Sequence, residues 1–135
     1  MLKVVNALIT ITITVLLTSC VTATKTDYLR LGNEYARDGL FREAATVFKK
    51  ELSKNPDNYH ARRNLGVVLV KLGLYKKASF HLEKTIKKLS KNYQNNFYLA
   101  EANRATQNYD KAIFHYKVAL NIRPSDDSAT RALAW

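Results

Sequence analysis

With one cysteine in 135 residues, the chain has no intramolecular disulfide, so one buried core has to hold it together. Beyond residue 21 it lacks any apolar run long enough to cross a bilayer. Its four glycines form no phosphate-cradling loop, no serine sits in an activated-nucleophile motif, and His60, His81 and His115 share no metal-ligand spacing. Catalysis, a metal and a cofactor therefore all lack a residue pattern to support them, and the histidines read as surface residues. Acid is scarce too: 11 Asp and Glu face 22 Lys and Arg, for a formal charge of +11. In a cytoplasmic protein that balance would raise nucleic acid as a partner, but the first twenty residues argue against that compartment.

Those residues, MLKVVNALITITITVLLTSC, open with one lysine, run apolar from Val4 to Leu17 with Asn6 and three threonines among them, and close on small residues. The run has the length of a signal-peptide core rather than of a membrane span. Leu17-Thr18-Ser19-Cys20 resembles the lipobox of bacterial lipoproteins. The resemblance implies that residues 1–19 are a leader to be removed and that Cys20 carries a lipid anchor, which would account for a lone thiol in an exported chain. Cleavage after Ala23 is the alternative, since Val21-Thr22-Ala23 also has small residues at the right spacing, and it would discard Cys20. Val21 behind the cysteine, in place of the aspartate that retains lipoproteins at the inner membrane, implies the periplasmic side of the outer membrane in a host that has two membranes. Residues 20–26 would then form a tether, whose last six residues reach roughly 20 Å at about 3.3–3.6 Å each. That length keeps the rest of the chain near the bilayer, where its positive charge favours anionic headgroups.

The remainder repeats itself. A shift of 34 residues aligns Leu31, Leu65 and Leu99, then Gly32, Gly66 and Ala100, then Phe41, Tyr75 and Tyr109. Ala44, Ala78 and Ala112 follow in register, as do Phe48, Leu82 and Tyr116. Within each period two apolar stripes of helical spacing flank a polar break, so each unit is a helix hairpin that must stack on its neighbours to bury its faces. This pattern resembles the tetratricopeptide repeat, with units at 25–58, 59–92 and 93–126. The fold class it implies is all-α: a right-handed superhelical solenoid of three such hairpins over residues 27–126, with residues 127–135 as a capping helix. Gly39 and Gly73 fall where a first helix must end in a left-handed residue, and Gln107-Asn108 take that place in the third unit, with Asn the more tolerant. The small residues suit close backbone approach. Ser125 is placed to cap the last helix, with Asp126 and Asp127 in its first turn. Asn103 departs from the pattern and needs a polar partner, expected on a neighbouring helix.

At 100° per residue, the face of each first helix opposite its core stripe carries Asn33 and Arg37, then Arg63, Asn64, Val67 and Lys71, then Phe97, Tyr98, Glu101 and Arg104. In tetratricopeptide arrays that face lines a concave groove. Arginines collect on the first helices and lysines on the second, which suits recognition on one side and solvation on the other. Chaperone-binding members hold a carboxylate with two asparagines and three basic residues. Asn33 and Asn64 match the asparagines, whereas Leu29, Gln94 and Tyr98 occupy the basic positions. The resemblance therefore implies that Asn33 and Asn64 hydrogen-bond an extended peptide backbone while arginines meet its acidic groups. The expected partner is another envelope protein offering an acidic or carboxylate-bearing segment, with no nucleic acid and with the membrane reached through the anchor. Small lipoproteins of this architecture resemble pilotin-like proteins of pilus and secretion-complex assembly. The other reading is a permanent structural subunit of an envelope complex, or a homodimer.

Overall fold

A computed structural model describes residues 27–134, and the expected leader, Cys20 and the whole tether lie outside them. Seven helices run in order within that span: α1 (Tyr28–Arg37), α2 (Phe41–Lys54), α3 (Tyr59–Lys71), α4 (Tyr75–Thr85), α5 (Tyr93–Ala105), α6 (Tyr109–Ile122) and α7 (Asp127–Leu133). They form three antiparallel hairpins and a closing helix, the all-α solenoid that the 34-residue period predicts. No described helix is long and apolar enough to cross a membrane.

Start signals differ between the two helix sets. Each first helix is capped by a side chain that accepts from the backbone N–H three residues on: Asp27 from Arg30, Asn58 from Ala61 and Asn92 from Asn95. The second helices have no side-chain cap, and each follows directly on the turn that closes the helix before it. After α1, the Leu40 N–H reaches the Tyr35 carbonyl at 2.9 Å and the Gly39 N–H reaches that of Ala36 at 3.3 Å. This is a Schellman turn, and it requires its central residue to be left-handed. Gly39 (φ +77°) and Gly73 (φ +72°) supply that conformation in the first two hairpins. In the third hairpin Gln107 takes it at φ +64°, while Asn108 at φ −85° stands just ahead of α6. The burden therefore falls on the glutamine rather than on its more tolerant neighbour, because the Asn108 N–H must reach the Asn103 carbonyl, 2.8 Å away.

The glycines of the first helices make room above all for side chains. A Cβ on Gly32 would lie 2.5 Å from Phe48 Cε1, and one on Gly66 would lie 2.5 Å from Leu82 Cγ. Phe48, Leu82 and Tyr116, one period apart, are fully buried; the first two lie against the glycine of their own hairpin, and Tyr116 shares a buried cluster with Ala100. Buried apolar residues form two clusters, one spanning α2, α3 and α4 and ending at Ala102 of α5, the other joining Ala100, Ala112, Tyr116 and Ala129. The second cluster exists because α7 lays Ala129, Ala132 and Leu133 over the end of the array.

Two polar details depart from the pattern-based expectation. Asp126, not Ser125, caps α7, accepting from the N–H groups of Ser128 and Ala129 at 2.9 and 3.0 Å. Asn103 finds its partner on its own helix: the amide donates to the Leu99 carbonyl at 2.9 Å, a bond a buried polar side chain can make without help from a neighbour.

Candidate binding groove

First helices α1, α3 and α5 pack side by side as an inner layer, with α2, α4 and α6 outside them. Between α1 and α3 lies an open hollow of about 420 Å³, bordered by Asn33, Arg37, Arg63, Asn64, Val67 and Gln94. Helical spacing brings these together, since Asn33 and Arg37 are one turn apart, as are Arg63 and Val67. Asn64 Nδ2 donates to Asn33 Oδ1 at 2.6 Å, and Asn64 Oδ1 accepts both Nε and Nη2 of Arg63, at 2.9 and 2.7 Å. The asparagines thus hold each other and the guanidinium, which corrects the expectation that both are free for a peptide backbone. Asn64 is engaged at both ends of its amide, whereas the Asn33 amide N–H groups make no hydrogen bond among the described residues.

Arg63 is the electrostatic anomaly of this face. It is half-buried, no carboxylate pairs with it among the described residues, and burial lowers its pKa from the usual range. A desolvated cation balanced only by neutral amides favours any anion that enters. Arg37 beside it is exposed and likewise has no carboxylate partner among the described residues.

Further along the same layer the remaining predicted residues form a separate group. Phe97 meets Tyr98 edge-on at 5.3 Å and Tyr116 at 5.9 Å, and the Lys71 ammonium lies 5.4 Å from the Tyr98 ring centroid. Glu101 accepts from the Tyr116 hydroxyl through one oxygen and from Arg104 through the other, at 3.1 Å. Burial and the Glu101 carboxylate hold the Tyr116 phenol well above its usual range. Arg104, expected to meet a partner's carboxylate, already has one. Of the arginines predicted for this face, Arg37 and Arg63 are without a carboxylate partner among the described residues.

Not every first-helix arginine faces inward. Arg62 turns outward, donates to the Pro56 carbonyl at 2.5 Å, and lines a recess with Lys84 and Lys88. Its counterpart one period on is Asn96, which is buried and donates to the carbonyls of Ser90 and Asn92 at 2.8 and 3.0 Å. With both amide protons used, Asn96 Oδ1 is left to accept from His115 Nδ1 at 3.0 Å. His115 is therefore a half-buried link between the layers, and His81, equally half-buried, has an Nδ1 without a hydrogen-bond partner among the described residues; neither is a surface residue. Arg62 and Asn96 are polar at one register position of adjacent repeats, and that is the sequence signal for these contacts. Glu51 is a similar case, since its carboxylate accepts Asn55 and Asn58 at 2.8 and 2.9 Å and holds the turn into α3. Among the described residues no group of three or more His, Cys, Asp or Glu is placed to hold a metal ion.

The histidines give the array a pH dependence with a definite sign. Burial lowers the pKa of His81, with Arg62, Lys84 and Lys49 adding repulsion. Burial also lowers that of His115, with Lys111 adding to the effect and Glu83 opposing it. Both therefore resist protons when folded, while the unfolded chain takes them up near pH 6.5. Stability should be flat above that pH and fall below it, because there the unfolded state binds more protons. Denaturant midpoints measured across this range should show the fall, and His81→Leu should flatten it; an unchanged slope would assign the acid sensitivity elsewhere.

The fold and inner layer define a class, a solenoid of stacked helix hairpins with an open inner face, an architecture on which interaction scaffolds are built. Residues 29–79 match the family model for the tetratricopeptide repeat. Among solved structures, MamA from Desulfovibrio magneticus RS-1 superposes with a TM-score of 0.74 at 25% identity, over 78% of this chain and 60% of that one. MamA AMB-1 gives 0.72 at 29% identity, over 79% and 63%. The first TPR of Spaghetti (RPAP3), bound to the HSP90 peptide SRMEEVD, gives 0.73 at 20% identity over 79% and 85%, a likeness of fold alone. In sequence, 91 residues are 29% identical to the BBSome complex member BBS4 of Bos taurus, covering 67% of this chain and 18% of that protein. The chain thus spans less than a fifth of that relative's length.

Proposed function

We propose that this chain is a membrane-tethered interaction scaffold of a bacterial envelope, anchored through a lipid on Cys20 at the periplasmic side of an outer membrane. It holds an extended acidic or carboxylate-bearing segment of another envelope protein in the hollow between α1 and α3, in the service of pilus or secretion-complex assembly. The observation that carries the binding half of this reading is Arg63, half-buried, donating two hydrogen bonds to the Asn64 amide oxygen and paired with no carboxylate among the described residues. The fold supplies a precedent for the mode, since in the RPAP3 structure a solenoid of this shape is bound to a peptide rich in acid, SRMEEVD. The anchor rests on the sequence Leu17-Thr18-Ser19-Cys20, which lies outside the described residues.

A photoreactive residue placed at Val67, on the hollow, should capture the partner segment in native membranes, and one at Thr46 on the outer side of α2 should not. Equal capture from both positions would remove the groove from the reading. Cys20→Ala should abolish acyl labelling and release the chain from the membrane pellet, or leave it uncleaved; labelling that persists would remove the anchor.

A further inference from the structure

The side away from the hollow has a chemistry that solubility does not explain. Phe80 on α4 is 53% exposed and Phe114 on α6 is 61% exposed, more than any other large hydrophobic residue among those described. They lie one 34-residue period apart, so the stacking places them at the same register on neighbouring outer helices. An ion pair between Glu83 and Lys111, at 3.5 Å, joins α4 to α6. Paired phenylalanines at one register make a patch, unlike single exposed apolar residues scattered over a surface.

Each ring stands among cations. Lys76, Lys77 and Lys84 lie within one helical turn of Phe80, and Lys111 and Lys117 within one turn of Phe114. The Lys84 ammonium sits 4.1 Å from the Phe80 ring centroid. Of the acids on the same turns, Glu83 is already matched by Lys111, leaving Asp110. Alongside runs the recess of Arg62, Lys84 and Lys88.

Lysines are compact, hydrated charges on flexible stems and set no fixed geometry, unlike the arginine fork in the hollow. A protein ligand for this face would need carboxylates at defined places and a depression to take the rings, and the rings project instead. A bilayer containing anionic lipids satisfies both features, since its headgroups attract clustered lysines and its acyl boundary accepts aromatic rings to a shallow depth.

We propose that the outer face of α4 and α6 rests on an anionic lipid bilayer, with Phe80 and Phe114 entering the headgroup–acyl boundary and the surrounding lysines meeting lipid phosphates. This deepens the membrane-tethered reading and adds an orientation to it: the hollow between α1 and α3 opens away from the bilayer.

The test uses the full chain, with its one tryptophan, Trp135, changed to phenylalanine and a new tryptophan introduced by Phe114→Trp or, on the inner face, by Tyr98→Trp. Position 114 is exposed, so the fold is not at stake there. With mixed phosphatidylcholine–phosphatidylglycerol vesicles whose acyl chains are brominated, emission from position 114 should shift to the blue and be quenched, while emission from position 98 should stay unquenched. Pure phosphatidylcholine should not produce the effect, and Lys84→Glu with Lys117→Glu should weaken partitioning about tenfold or more, two surface charges being reversed. Equal quenching at both positions, or quenching indifferent to lipid charge, overturns the proposal. A chain that is acylated at Cys20 yet shows no quenching at position 114 loses the docking face and keeps its anchor. Quenching at position 114 in a Cys20→Ala chain keeps the docking face without the anchor.

Discussion

Replacing Arg37 and Arg63 together with alanine should lower the affinity of the inner face for an acidic segment at least tenfold. Charge-assisted hydrogen bonds contribute on the order of 1.5–3 kcal/mol each, and about 1.4 kcal/mol is a factor of ten. Arg63 should supply the larger share, because it is half-buried and its guanidinium meets only the Asn64 amide. Arg104→Ala is the informative control. Its partner Glu101 is already in place at 3.1 Å, so removing the arginine deprives the segment of little attraction. Lys84→Ala with Lys88→Ala, on the outer recess, should change the affinity least. Added salt should weaken the wild-type complex more than the double arginine variant, because fewer screened pairs remain in the variant. Titration of the captured segment against all four proteins at two salt concentrations decides the matter. Equal losses from the lysine and arginine pairs would reduce binding to nonspecific basic attraction.

Truncating Phe48 should cost the array about 3–5 kcal/mol, the range for removing a buried aromatic ring from a core. The ring is fully buried and lies against Gly32, where an added Cβ would sit 2.5 Å from Cε1. That contact makes a sharper test than the single variant. In the wild-type chain Gly32→Ala should destabilise, because the ring has no room to move, whereas in the Phe48→Ala chain the same change should stabilise by occupying part of the void. A sign reversal across this double-mutant cycle, read from urea unfolding, establishes that glycine is there for the ring. Additive effects would return the close approach to the backbones.

The fold was legible because its determinants recur at a fixed spacing. Leu31, Leu65 and Leu99, or Phe48, Leu82 and Tyr116, declare a period before any one of them is placed in space. Gly39 and Gly73 were equally readable, since a left-handed turn residue is written in the residue type. Gln107 was not, because its conformation is imposed by the hydrogen bonds of the turn and not by its own preference. The inner face was legible as a set of helix positions, and Asn33, Arg37, Arg63, Asn64 and Val67 border one hollow. What the spacing could not convey was which of those side chains were already committed. Glu101 takes both Arg104 and Tyr116, and Tyr116 is 15 residues distant on another helix. The same holds for Asn96 with His115, which lie 19 residues apart and meet only when the layers close. Periodicity predicts faces; pairing depends on rotamers and on the distance between layers.

The two buried clusters divide the array unevenly, with α5 contributing Ala102 to one and Ala100 to the other. A solenoid whose core is split in this way has a natural seam. Amide protons of α6 and α7 can exchange with solvent through an opening that leaves α1 to α4 protected, so the molecule should show two tiers of protection in native-state exchange. The hollow with Arg37 and Arg63 belongs to the slower tier. A segment seated there therefore meets a surface already in its final shape, while the end of the chain is free to breathe.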